Sequence, residues 1–158
     1  MRRPPRDPGA PLLSRLVLRR TAMVALLMTA GAVGLFVFEW RQGLALGDPP
    51  ALALAEAQTM AVTAVIFFQV FYLLESRSLT EWVVRSSWRS NPALVPGIAT
   101  VLALQAAFIW WPPLQRVFGT AALDATDVGV AALVASVIFP AMLAEKALTR
   151  RLARRPSA

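Results

Sequence analysis

Long apolar runs alternate with short charged stretches along this chain, and the alternation repeats four times. Each run is long enough to cross about 30 Å of hydrocarbon at about 1.5 Å per residue. The pattern predicts spans over about 21–38, 57–74, 93–111 and 128–144. Backbone groups inside a bilayer must be satisfied within their own segment, so each span is expected to be a helix. A basic arm over 1–20 would precede the membrane domain over 21–145, and a basic tail over 146–158 would follow it. The expected fold is an all-α membrane protein, a bundle of four transmembrane helices.

Basic residues outside the spans set the orientation. Arg2, Arg3, Arg6, Arg15, Arg19 and Arg20 precede the first span, and Arg77, Arg85 and Arg89 lie between the second and third. Lys146, Arg150, Arg151, Arg154 and Arg155 follow the fourth. The other two connections hold only Arg41 and Arg116, so the division is 14 to 2. Both termini and the middle loop are therefore expected on the cytoplasmic side. Trp40 and Trp110-Trp111-Pro112-Pro113 stand where an outer aromatic belt falls, and Trp82 and Trp88 flank the cytoplasmic loop. Asp48-Pro49-Pro50 and Asn91-Pro92 are loop punctuation, and Pro140 is expected to kink the fourth span. Ala30-x-x-x-Gly34 offers a face for close helix approach.

Composition changes the picture in three ways. The chain is 57% hydrophobic and only 16% charged, against about 45–50% and about 25% for soluble domains. Its mean hydropathy of +0.57 agrees with a membrane protein. The net charge of +7 would suggest nucleic acid in a soluble chain, but here the arginines orient helices and no nucleic-acid partner is expected. No cysteine or histidine occurs, which excludes disulfides, thiolate metal sites and a histidine base within the chain. The first apolar run starts only near Thr21 and lacks a small-residue cleavage site, so it reads as a span, not a cleaved leader.

Few polar side chains interrupt the spans. Gln69 is the most central, within Ile66-Phe67-Phe68-Gln69-Val70-Phe71. A buried amide there would glue the bundle, or its carbonyl oxygen would help hold a hard cation. Gln105 in the third span is of the same kind. Glu39 and Glu75 close the first and second spans and are expected to stay solvated, while Glu145 beside Lys146 reads as a surface ion pair. Thr63 and Ser136 are expected to bond to their own helices. No Gly-rich phosphate loop is present, and none of Asp7, Asp48, Asp124 and Asp127 precedes Lys-Thr-Gly-Thr, the mark of an aspartyl-phosphate nucleophile. No catalytic residue and no metal centre are assigned, and the chain alone is not expected to be an enzyme.

The order of segments resembles the C-terminal membrane domain, helices seven to ten, of P-type cation-transporting ATPases of the calcium-pump type. Met1-Arg2-Arg3-Pro4-Pro5-Arg6-Asp7-Pro8, then Pro11-Leu12-Leu13, is similar to the loop after the sixth helix. Ala57-Gln58-Thr59-Met60-Ala61-Val62-Thr63, Phe68-Gln69-Val70-Phe71 and Arg77-Ser78 resemble the eighth helix and its exit. Asn91-Pro92 through Gln105, with Pro113-Leu114-Gln115-x-x-Phe118-Gly119-Thr120 and Leu123, resembles the ninth helix and its outer loop, and Glu145-Lys146 ends the tenth. The likeness reaches from Met1 to about Arg151.

The resemblance implies a domain that supports transport helices lying outside this sequence, in a truncated or split pump. It implies Gln69 as the one candidate cation-binding position, where reticulum-type calcium pumps have a glutamate. Tyr72 and Glu75 stand where many relatives have asparagines. A complete pump would use ATP and magnesium, but no cofactor is expected on this chain. Its expected partners are the lipid bilayer and the remaining helices and catalytic domains of a pump, in the plasma (inner) membrane. Two alternatives stay open: a free-standing subunit or regulator of a separate pump core, and a small independent transporter or channel. Scarce intramembrane charge weighs against the last.

Overall fold

The computed structural model describes residues 15–77 and 93–153. The basic residues and motifs over 1–13, Trp82, Arg85, Trp88, Arg89, Asn91-Pro92, Arg154 and Arg155 lie outside the described residues. Among the described residues all regular structure is helical: α1 (Arg15–Leu46), α2 (Pro50–Arg77), α3 (Leu94–Trp110), α4 (Pro112–Phe118), α5 (Ala125–Ala135) and α6 (Ile138–Ala153). Val17–Leu46, Pro50–Ser76 and Ala125–Ala147 are each long and apolar enough to cross a membrane. The bent pair α3–α4, taken as one span, brings the candidate crossings to four.

The first two helices run further than the apolar runs do. They meet at Gly47, whose φ of +90° favours glycine. Asp48 N donates to Gly43 O and Gly47 N to Leu44 O, a Schellman ending of α1. Pro49-Pro50 then opens α2, where a proline's missing N–H costs nothing. The result is a tight helical hairpin.

α1 turns inward a stripe of Val24, Gly31, Leu35, Glu39 and Gly43, and α2 answers with Ala53, Ala57, Met60, Ala64 and Phe68. Glycine sets the closest contacts. A Cβ on Gly31 would stand 2.5 Å from Cε2 of Phe68, and one on Gly43 would stand 2.9 Å from Ala53 Cβ. Ala30 and Gly34 are exposed, and a Cβ on Gly34 meets nothing within 4 Å. The contact face of α1 within this chain passes through Gly31, one residue from the Ala30/Gly34 face, because the buried positions follow the helical period from Val24.

Two clusters fill the interior. Leu35, Met60, Ala64, Ile109, Leu123 and Ala131 form one. Val24, Phe68, Ala135, Ile138 and Met142 form the other, where Phe71 and Phe139 lie 5.4 Å apart. Ala131 and Ala135 are fully buried, so α5 approaches closely on a small-residue face.

α3 and α4 meet at a bend of 80°. Trp111 is extended (φ −91°, ψ 112°) because the following Pro112 disfavours helix there. The span of α5 and α6 is also broken. Pro140 cannot donate to Ser136 O, which instead accepts from Phe139 N at 3.0 Å, and the helix restarts at Ile138.

Candidate functional site

A polar seam runs between α2 and the C-terminal half of α3. Thr59 and Thr63, one turn apart, are fully buried. Each hydroxyl donates to its own helix, Thr59 to Ala55 O and Thr63 to Thr59 O, both at 2.7 Å. Each then accepts from outside: Thr63 from Gln105 Nε2 at 2.9 Å, and Thr59 from Ala121 N at 3.1 Å. The seam ties α3 and the loop before α5 to α2. Trp110 Nε1 to Leu123 O and Gln115 Nε2 to Ile109 O close the same corner.

Gln105, not Gln69, makes the interhelical amide contact within this chain. Gln69 is exposed. It belongs to a second, exposed stripe of α2, Leu54, Gln58, Val62, Gln69 and Leu73. Gln58, Val62, Phe36, Phe108 and Phe118 line an open groove of about 480 Å³ beside it. α2 thus has an inner face whose polar groups are paired and an outer face bearing two amides at membrane depth.

Charges gather at both ends. Where α1 begins and α6 continues, Arg19 pairs with Glu145 at 2.9 Å, and Lys146 pairs with Glu75 of α2. Glu75 is 4% exposed and Glu39, at the other end, 6%, so neither is solvated as expected. Depth along the helix suggested solvent, but both carboxylates fall on the inward stripes. Glu145 likewise joins two helices and does not form a local surface pair with Lys146. Thr63 and Ser136 bond to their own helices as expected.

At the end with Glu39, Asp124 caps α5. Its Oδ1 accepts from Asp127 N at 2.8 Å, and Asp127 Oδ2 accepts from Asp124 N at 3.3 Å. The bond from the Asp127 amide holds the Asp124 carboxyl below its ordinary range. The spacing Asp-x-x-Asp before an apolar run was the sequence signal for this capping box. Among the described residues no three acidic groups are placed to hold a metal ion.

Comparison with known proteins interprets this arrangement. The family described as "Cation transporting ATPase, C-terminus" matches residues 1–148. The chain belongs to that family. This membrane domain of the cation transporting ATPases is 37% identical over 128 residues to the probable cation-transporting ATPase F of Mycobacterium bovis, which covers 78% of this chain. It is 34% identical over 139 residues to the calcium-transporting ATPase type 2C member 2 of Mus musculus, covering 88%. Against the calcium-transporting ATPase 1 of Schizosaccharomyces pombe it is 29% identical over 128 residues, covering 81%. The chain spans about 13% of the length of the first of these relatives and 14% of the second. The match is thus to the C-terminal membrane portion of P-type ATPases, the portion without catalytic domains. Family and apolar helices together make this an integral, multi-pass membrane protein.

Proposed function

We propose that this domain braces the cation-transporting helices of a P-type ATPase and performs no hydrolysis by itself. The outer face of α2 supports the reading. Gln58 and Gln69 lie on one stripe, exposed, with no hydrogen bond to described residues. Bare amides facing hydrocarbon are costly, and their need is met by a polar partner helix. The stripe is accordingly read as the seat of transport helices outside this sequence, with Gln69 contributing its carbonyl oxygen to a cation path. Ala30 and Gly34, small and exposed on α1, offer a second close-approach face for those helices. Both termini are read as cytoplasmic, in the plasma membrane, from the 14-to-2 division of basic residues.

A photo-crosslinking residue at Gln69, expressed in the native membrane with a pump core of this family, tests the reading. Capture of the core's membrane helices from position 69, but not from exposed Leu133 on α5, is the expected result. Capture of lipid alone at position 69, or a phosphoenzyme formed by the purified chain, would overturn it.

A further inference from the structure

Three helices place a carboxyl in one layer of the bundle. Leu35 of α1, Met60 of α2 and Ala131 of α5 belong to the same core cluster. One helical turn from each, toward the end that holds the α1–α2 hairpin, stand Glu39, Glu56 and Asp127. Glu39 is the enclosed member, 6% exposed, while Glu56 and Asp127 are half-buried. Its Oε2 is shut from solvent and receives no hydrogen bond. The charges that bear on Glu39 are of its own sign, those of Asp127, Glu56 and Asp124. Among the described residues, Arg41 on α1 and Arg116 on α4 are the basic groups of this end, and neither pairs with a carboxylate of the layer.

A buried carboxylate with neither donor nor counter-ion is costly, and like charges beside it add to the cost. A bound cation removes that cost, and the geometry limits which cation. Among the described residues no three acidic groups are placed to hold a metal ion. Oε2 is also closed to anything the size of a water molecule. A proton meets both limits. It binds as an O–H bond on the carboxyl itself, needs no coordination shell and leaves a neutral group in the interior. We infer that Glu39 is a proton-binding site at the centre of this layer, with Glu56 and Asp127 setting how tightly the proton is held. The site depends on the packing of α1, α2 and α5 and not on the chain bracing transport helices.

Infrared spectroscopy of the full chain in phosphatidylcholine bilayers reads the proton through the stretching band of a protonated carboxyl and its shift on deuteration. The wild type is expected to show that band at mildly acid pH and to lose it as the pH rises. Glu39→Gln, which mimics the neutral acid, should remove the band. Glu145→Gln, which deletes a carboxylate already paired with Arg19, should keep it. Glu56→Gln takes one like charge from the layer, so the band should disappear about one pH unit lower. That variant retains Glu39 and decides the matter if Glu39→Gln fails to insert. Absence of the band from the wild type, its full persistence in Glu39→Gln, or its loss at an unchanged pH in Glu56→Gln would each overturn the site.

Discussion

Gln105 on α3 donates through Nε2 to the hydroxyl of Thr63 on α2, at 2.9 Å. Its neighbours explain its weight. Gln105 and Ile109 are the only buried described residues of α3, so this bond lies in the small area where that helix meets the bundle. Replacing Gln105 by Leu and Thr63 by Val, singly and together, should reveal a coupling of roughly 0.5–2 kcal/mol in a detergent unfolding titration. A coupling near zero would place the attachment of α3 in packing alone.

Gly31 should be far less replaceable than Gly34. The ring of Phe68, itself 2% exposed, occupies the space a side chain at Gly31 would need. Gly31→Val is expected to destabilise the isolated chain by about 1–3 kcal/mol through overpacking. Gly34→Ala should leave the isolated chain unharmed and weaken only its association with a pump core. Thermal unfolding of both variants separates the two effects.

Lys146→Met should strand the Glu75 carboxylate in a nearly closed position. Breaking one side of a buried pair typically costs about 3–5 kcal/mol. Adding Glu75→Gln to Lys146→Met should restore most of the loss, as measured by the unfolding midpoint. Failure of the double variant to recover would show that packing, not charge, dominates this contact.

Asp124 predicts a response to acid. Its carboxyl is held below the ordinary range in the folded chain, so the unfolded chain binds its proton first as pH falls. Its contribution is therefore fully present above the ordinary aspartate value and is lost as pH drops through the lowered one. Asp124→Asn keeps the cap without the titration and should flatten part of the acid limb of a pH-stability curve. An identical limb in wild type and variant would rule the cap out as its source.

The absence of native cysteine makes orientation directly readable. Ser86→Cys in the middle loop should react with an impermeant thiol reagent only from the cytoplasmic face. Gln42→Cys, past the first apolar run, should react only from the opposite face. The reverse result would invert the topology inferred from the arginines.

The apolar crossings, three single helices and the bent pair α3–α4, were legible because a bilayer demands apolar length, which a single sequence displays. The break before Pro140 was legible because proline removes a donor, whereas Trp111-Pro112 read only as the close of the third span and not as a bend into a further helix. What escaped was azimuth. Glu39 and Glu75 read as solvated because depth was visible, while the inward stripes through Val24 and Leu35, and through Met60 and Phe68, emerge only from packing. Gln69 and Gln105 looked equivalent as lone amides, yet one meets a threonine within the chain and the other faces outward. Nothing local to either residue distinguishes them.

The 80° turn at Trp111 also fixes the length of α3, which has 17 residues from Leu94 to Trp110. At about 1.5 Å per residue it reaches only about 25 Å, short of an average hydrocarbon core of about 30 Å. Lipid beside that helix must thin, or the helix must stand nearly upright with its tryptophans drawn to the headgroups. The domain therefore carries its own thickness preference, and acyl-chain length becomes a variable that selects where it is comfortable.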